Sequence, residues 1–407
     1  MNPIHNEGRV FGLDLLRALA IGLVFTGHGI GLAFPQYIGW VYRLLPDGVA
    51  LFFCLSGYLI TVAFLDHLQK WGAHGRAVFH FWLKRAIRTI PPFFIALVIH
   101  GLLIAALMPD NVRAASPLSF IFMQNFAWPL RGGFTEGWSL SVEEWFYALF
   151  MALAALGFLL RKNQLLVFAV GACALLAVTI LYRAFVYAGA LGAIDLSSVA
   201  TWSGYIQTAV LGRLDAPAIG VLCAVMSRAW PMVWARVAAS RVFLVTALAA
   251  VWAVQNVSVS LMGPAPGAGA ACATGEGGSA CYVLFTTPWF FAVQPTLVSL
   301  AWALLLVPAS CMRPPRWTMA EAVVRQIAAS AFSIYLVHFS IVAFLLVPAL
   351  AMFWPASAAA NLTAYAVLGV VVSQIFFVLV ERPALLFRKR IDVWFKPNTF
   401  EPNTPAG

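Results

Sequence analysis

The sequence predicts an all-α polytopic membrane protein, a bundle of about ten transmembrane helices with both termini cytoplasmic. Three observations lead there. Hydrophobic residues make up 62% of the 407 residues and charged residues only 10%, where soluble domains carry about 45–50% and about 25%. Apolar segments of the roughly 20 residues that a bilayer crossing needs recur from Phe11 to Glu381. They are continuous, as in Leu149–Leu160 and Leu165–Leu181, unlike the alternating segments of about 10 residues in β-barrels. So few charges cannot clothe a water-facing surface, which excludes a soluble enzyme, a disordered chain and a fibre.

Candidate spans run over residues 11–32, 47–65, 90–108, 138–160, 165–187, 206–227, 242–262, 286–308, 327–350 and 361–381. An even number puts both termini on one side. Loops on that side hold Lys84, Arg85, Arg88, Arg161, Lys162, Arg228, Arg236, Arg313, Arg388 and Lys389; the opposite loops hold Arg43, Arg113 and Arg131. The positive-inside rule makes the basic side cytoplasmic. The net charge of +10 is then topology; nucleic-acid binding would need basic residues clustered on one exposed domain. The first span carries Asp14 and Arg17 and lacks a small-residue cleavage site, so it reads as a retained helix. Residues 1–390 read as a single transmembrane domain, and the Pro/Asn/Thr-rich end, 391–407, as a short disordered tail.

The loop 263–281, GPAPGAGAACATGEGGSAC, is rich in glycine. It lacks the Lys-Ser/Thr ending and strand-to-helix setting of a phosphate loop, and reads as a flexible connection on the outer side. Its Cys272 and Cys281 are expected to form a disulfide, because that side is oxidising. Cys54, Cys173 and Cys223 read as small buried hydrophobes. No Cys/His spacing suits zinc, so no metal is expected.

Ionisable residues inside a bilayer are functional candidates. Arg17 and His28 lie eleven residues apart, which at 100° per residue is about 20° around the helix and about 16 Å along it. Asp14 lies about 40° from His28. The three make one polar stripe facing the bundle interior. Asp14 and Arg17 also suit a simple ion pair near the helix start. His28 suits proton transfer near neutral pH, with snorkelling to the interface as the plainer account.

In FHFWLKRAIRTIPPFF, Lys84, Arg85 and Arg88 lead into a helix expected to begin near Pro91–Pro92. Arg85 and Arg88 share a face if helical and suit a phosphate group; taken alone, positive-inside anchoring is the simpler account. In FTEGWSLSVEEWFYALF, Glu143 and Glu144 sit one to two turns inside the fourth span, with Trp138 at its interface. Carboxylates at that depth need partners, and Glu143 is the candidate to orient or charge-balance His28. Arg213 and Asp215 read as a local ion pair. Tyr335 and His338 share a face, fitting substrate contact or helix–helix hydrogen bonding. Glu381 reads as pairing with a basic loop residue.

Six segments, in this order, resemble the acyltransferase-3 family of membrane-bound acyltransferases, which includes bacterial cell-surface polysaccharide O-acetyltransferases. They are LDLLRALAIGLVFTGH, with ten residues between Arg17 and His28; DGVALFFCLSGYLIT; KRAIRTIPP, with Arg85-x-x-Arg88; GWSLSVEEWFY; FSIYLVHF; and VERP. Ala50 departs from the pattern, standing where an acidic residue is common. The resemblance implies an enzyme of the bacterial inner membrane, surrounded by membrane lipids. It would move an acyl group, acetyl above all, from cytoplasmic acyl-CoA to a carbohydrate hydroxyl. Exopolysaccharide, O-antigen or a lipid-linked precursor would be the acceptor, and acetyl-CoA the donor substrate, with no permanently bound cofactor. It implies His28 as general base or transient acyl carrier, Glu143 stabilising the imidazolium, and Arg17, beside Asp14, the oxyanion. Lys84, Arg85 and Arg88 would hold the CoA phosphates, and Trp138, Ser141, Glu144, Tyr335 and His338 would contact substrate. The alternative is a transporter or flippase of a glycolipid or small molecule; the repeated halves and interrupted helices common in transporters are not evident in the sequence.

Overall fold

A computed structural model describes residues 10–34, 44–72, 74–108, 116–189, 203–260, 262–264, 282–284, 288–315, 318–353 and 357–395. Among these, nine helices are long and apolar enough to cross a membrane, or ten counting one bent pair. The predicted helical bundle is therefore the observed architecture. The helices are α1 (Phe11–Ala33), α2 (Gly48–Trp71), α3 (Gly75–Leu107), α4 (Gly137–Leu159), α5 (Gln164–Tyr187), α6 (Asp215–Ala229), α7 (Pro231–Ala238), α8 (Arg241–Ser260) and α9 (Pro288–Ala309). Then come α10 (Thr318–Val337), a π-helical stretch (His338–Leu346), α11 (Val347–Ala351), α12 (Ala358–Phe376), a second π stretch (Phe377–Glu381) and α13 (Arg382–Phe395).

Local chemistry sets the starts. The Asp47 carboxylate accepts from Val49 and Ala50 N–H at 2.9 and 3.0 Å, capping α2. The His74 ring caps α3 through Ala77 N–H, 3.1 Å. Asn163 caps α5 through Leu165 N–H, 2.9 Å. Gly72, at φ 85°, ends α2 in a conformation that a side chain would strain.

The structure departs from the sequence reading at several places. The third helix begins at Gly75, not near Pro91–Pro92, and runs through both prolines; membrane helices tolerate proline when neighbouring groups satisfy the freed backbone. Arg85 and Arg88 are therefore helical residues rather than loop residues. In the sixth predicted span, a π turn (Ser203–Gln207) and further turns precede α6. Asn125 pins this irregular backbone, its side-chain amide Nδ2 donating to Thr208 O at 2.6 Å and its main-chain carbonyl accepting from Val210 N–H at 2.9 Å. α6 and α7 meet at a 110° bend. Met262–Pro264 pairs antiparallel with Tyr282–Leu284, Gly263 opposite Val283; the predicted Cys272–Cys281 disulfide between these strands lies outside the described residues. The last helix runs to Phe395, so residues 391–395 are helical and not part of a disordered tail.

Arg213 and Asp215 are not a local pair. Arg213 Nη2 meets Asp47 Oδ2 at 3.0 Å, and Asp215 Oδ2 meets Arg183 Nη2 at 2.8 Å. Buried Arg183 also donates to Gly212 O (2.9 Å from Nε), Ala292 O (3.1 Å) and Thr296 Oγ1 (2.8 Å), and Thr296 donates to Asp215 at 2.6 Å. One guanidinium thus ties α5, the turn before α6, and α9.

α2 and α6 cross with their backbones touching: a Cβ on Gly57 would lie 1.9 Å from Pro217 O, and one on Gly220 would lie 2.1 Å from Cys54 O. Small residues allow such close approach in membranes. The main core around this crossing holds Phe53, Phe64, Phe146, Phe150, Phe168 and Leu306. The outer faces carry exposed Leu181, Phe185, Trp252 and Val370, as expected where lipid replaces water.

Candidate active site

Two polar groupings occupy the bundle, and Tyr335 stands between them. The first lines a cavity of ≈ 800 Å³, within the roughly 300–1,000 Å³ range of small-molecule sites. One region of its wall is basic, with Lys70, Lys84, Arg85, Arg88, Arg388 and Lys389; elsewhere Asp14, Arg17, Ser56, Glu143, Ser139 and Tyr335 line it. Lys84 is paired with Asp392 at 2.6 Å. Arg88 and Lys389 have no ion pair among the described residues.

Arg85 lies with its guanidinium carbon 4.2 Å from the centre of the Tyr147 ring and donates to the Tyr147 hydroxyl. Its Nη2 is 3.8 Å from Glu143 Oε2. Glu143 accepts from Ser56 Oγ at 2.6 Å and from Tyr147 Oη at 3.0 Å. Glu144 turns the other way and accepts from Thr89 at 2.6 Å. The two costly carboxylates thus have partners on α2, α3 and α4. Glu143 does not reach His28; α4 presents it to α2 and α3, and a second histidine takes the expected place beside His28.

Asp14 sits between two guanidinium groups, Arg17 at 3.4 Å and Arg325 at 3.3 Å. Arg325 also holds Glu321 at 2.8 Å. The Asp14–Arg17 pair was legible in the sequence; Arg325 was not, because its link to α1 is made only by folding. Glu381 accepts from Ser333 at 2.5 Å rather than meeting the expected basic loop residue. Trp138 sets its indole edge-on to Phe53 (5.8 Å between centres), and Ser141 donates to Gly137 O in its own helix at 3.1 Å. Neither lines the cavity.

The second grouping is a histidine pair. His28 Nδ1 and His338 Nε2 are 2.9 Å apart, and the His28 ring packs 4.2 Å from the centre of Phe339. His338 Nδ1 lies 2.8 Å from Tyr335 O and 3.1 Å from Ile334 O. Carbonyl oxygens only accept, so His338 Nδ1 carries a proton. With both rings neutral, His338 Nε2 then accepts from His28 Nδ1–H. That leaves a lone pair on His28 Nε2, which has no hydrogen-bond partner among the described residues. The chain of carbonyl, His338 and His28 is thus arranged to hold a base at one defined atom. A proton taken there leaves a cation that His338 and two carbonyls stabilise.

Ser139 donates to Tyr335 Oη at 2.6 Å. The Tyr335 and His338 rings are 5.7 Å apart. Tyr335 lines the cavity while neither histidine does, so Tyr335 is the residue that adjoins both groupings.

The chain resembles several curated proteins over part of its length. It is 29% identical over 162 residues to "Peptidoglycan O-acetyltransferase OatA" of Listeria monocytogenes, covering 36% of this chain and 24% of that protein. It is 28% identical over 123 residues to "Nodulation protein 10" of Rhizobium leguminosarum, covering 29% and 31%. It is 29% identical over 175 residues to "Putative peptidoglycan O-acetyltransferase YrhL" of Bacillus subtilis, covering 38% and 25%. The aligned parts thus span less than a third of each relative's length. No solved structure matches. The family described as "Acyltransferase domain" matches residues 10–381, a range that takes in both the cavity-lining helices α1 to α4 and the histidine pair, and the chain belongs to this acyltransferase-3 family of membrane enzymes.

Proposed function

We propose that residues 1–390 form one transmembrane acyltransferase domain in the bacterial inner membrane, which moves an acetyl group from cytoplasmic acetyl-CoA to a hydroxyl of a cell-envelope saccharide. The observation that carries the reading is a cavity lined by basic residues and by Tyr335, whose ring lies 5.7 Å from that of His338 in the histidine pair. The donor's phosphates suit Arg88, Lys389 and Lys84 at the basic wall. The thin pantetheine arm would lie along the same cavity, which Arg85, Glu143 and Tyr335 also line. The excess of Lys and Arg on that side makes it the cytoplasmic face. The O-acetyltransferase names of two relatives favour acetyl and a saccharide acceptor.

In this mechanism His28 Nε2 removes the acceptor hydroxyl's proton as its oxygen attacks the thioester carbon. The C–O ester bond forms, the C–S bond breaks, and the CoA thiolate takes up the proton. Tyr335, whose hydroxyl accepts from Ser139, donates a hydrogen bond to the developing oxyanion; Arg17 holds Asp14 and the α1 helix rather than the reacting atoms.

Sealed membrane vesicles test this. Acetyl-CoA does not cross bilayers, so radiolabelled acetyl-CoA added outside should label an envelope saccharide in inverted vesicles and not in right-side-out ones. Labelling in right-side-out vesicles alone would reverse the orientation. No labelling in either, with permeabilised membranes also inactive, would remove acetyl-CoA as donor.

A further inference from the structure

We infer that Glu136 is a positioning residue for the histidine pair, its carboxylate holding the break in helical register that turns the Tyr335 carbonyl onto the His338 ring. This rests on the proposed role of His28, which gives the pair its function.

Glu136 directly precedes α4 and is buried, 3% exposed. A buried carboxylate needs partners. Its Oε1 accepts from the N–H groups of Phe339 at 3.0 Å and Ser340 at 2.6 Å. Its Oε2 accepts from Ser340 Oγ, and that hydroxyl accepts from Thr135 N–H at 2.9 Å. All these partners on the far helix are the two residues after His338.

In an uninterrupted α-helix, the N–H of Phe339 would bond to Tyr335 O and that of Ser340 to Leu336 O. Here α10 ends at Val337, and the wider π winding begins at His338. π segments inside helices are common at functional sites. The carboxylate takes the two N–H groups, and His338 Nδ1 takes the Tyr335 carbonyl at 2.8 Å. Without Glu136, Phe339 N–H is drawn back to Tyr335 O and competes with the ring for it. His338 then loses the acceptor that keeps its proton on Nδ1. The tautomer of His28 is no longer fixed, because His338 Nε2 no longer has to accept from it. Glu136 touches neither the cavity nor His28, so its influence passes through the helix backbone.

The test reads the tautomers directly, without donor or acceptor. Full-length protein labelled with ¹⁵N-histidine is compared by NMR in wild-type, Glu136→Gln and Glu136→Ala forms, with His28→Gln and His338→Gln spectra assigning the two rings. The wild type should show both rings protonated at Nδ1. Glu136→Gln keeps an oxygen for the two N–H groups and should keep that pattern, while Glu136→Ala should show a mixture. Kinetics give the second readout. Per folded protein, Glu136→Ala should lower kcat about 10- to 100-fold, as loss of a group orienting a functional imidazole does. Its KM for acetyl-CoA should change less than about twofold, because the donor's cavity is untouched. Glu136→Gln should restore most of the rate. Unchanged tautomers in Glu136→Ala, or a Gln variant as altered as the Ala variant, would overturn the inference. If Glu136→Ala does not fold, the Gln spectrum and Ser340→Ala decide: both are expected to keep the wild-type tautomers, and a mixture in either rejects the assignment. An inactive wild type with the predicted tautomers would count against the proposed reaction alone.

Discussion

Alanine at His28 is expected to lower acyl transfer by about 10²- to 10⁴-fold, the contribution of a positioned general base. Membrane insertion should be unaffected. His28 is only half-buried on α1, and its ring makes one side-chain hydrogen bond, to His338. His338→Ala should also be strongly impaired, since it removes the group that fixes the His28 tautomer. The two losses should not add. Once His28 is absent, His338 has nothing to orient, so the double variant should resemble His28→Ala, as for groups that act as a unit. The check is kcat for the four proteins in membranes, each normalised to the amount of folded enzyme. Multiplying rather than merging losses would separate the two histidines into independent roles.

The largest expected stability change lies away from the histidines. Arg183→Ala leaves Asp215 buried with its cation gone, and breaking a buried pair in this way is destabilising by about 3–5 kcal/mol. Arg183 and Asp215 are both fully buried, so solvent does little to screen them. Gly212 O and Ala292 O lose their donor as well. Thermal unfolding in detergent, followed by helix content, should show a marked fall in Tm for Arg183→Ala. A double replacement, Arg183→Met with Asp215→Leu, should recover part of it, because no charge is then left unpaired. An Arg183→Ala protein as stable as wild type would mean that water reaches this site.

The bundle was legible because lipid imposes a simple rule, and continuous apolar runs of sufficient length satisfy it. The helix-period arithmetic put Asp14, Arg17 and His28 on one stripe, and Asp14 and Arg17 do pair. The failures follow from what a linear pattern omits. Pro91–Pro92 read as a start because proline removes ladder bonds, yet α3 continues through them and carries Arg85 into the bundle to meet Tyr147. Glu143 was assigned to His28 on depth alone, and depth does not fix lateral neighbours. Ser56 and Tyr147 lie within the quoted motifs, and nothing in those motifs marks them as partners of Glu143. Glu136 lies within the quoted segment FTEGWSLSVEEWFYALF, and nothing local to it announces partners 203 and 204 residues away. The π stretch after His338 is equally silent, because an apolar run such as FSIVAFLL has no polar spacing from which the winding can be read.

In the proposed mechanism His28 acts as a base in a one-step transfer, and not as an acyl carrier. Neither histidine lines the cavity proposed to hold the donor, which supports that order of events. Rapid mixing of purified enzyme with acetyl-CoA, following release of the CoA thiol, separates the two. Release should be negligible without an envelope saccharide fraction, should begin when that fraction is added, and should be lost in His28→Ala. A burst approaching one thiol per enzyme in the absence of saccharide would contradict the account, because it would mean that the acetyl group had moved onto the protein first.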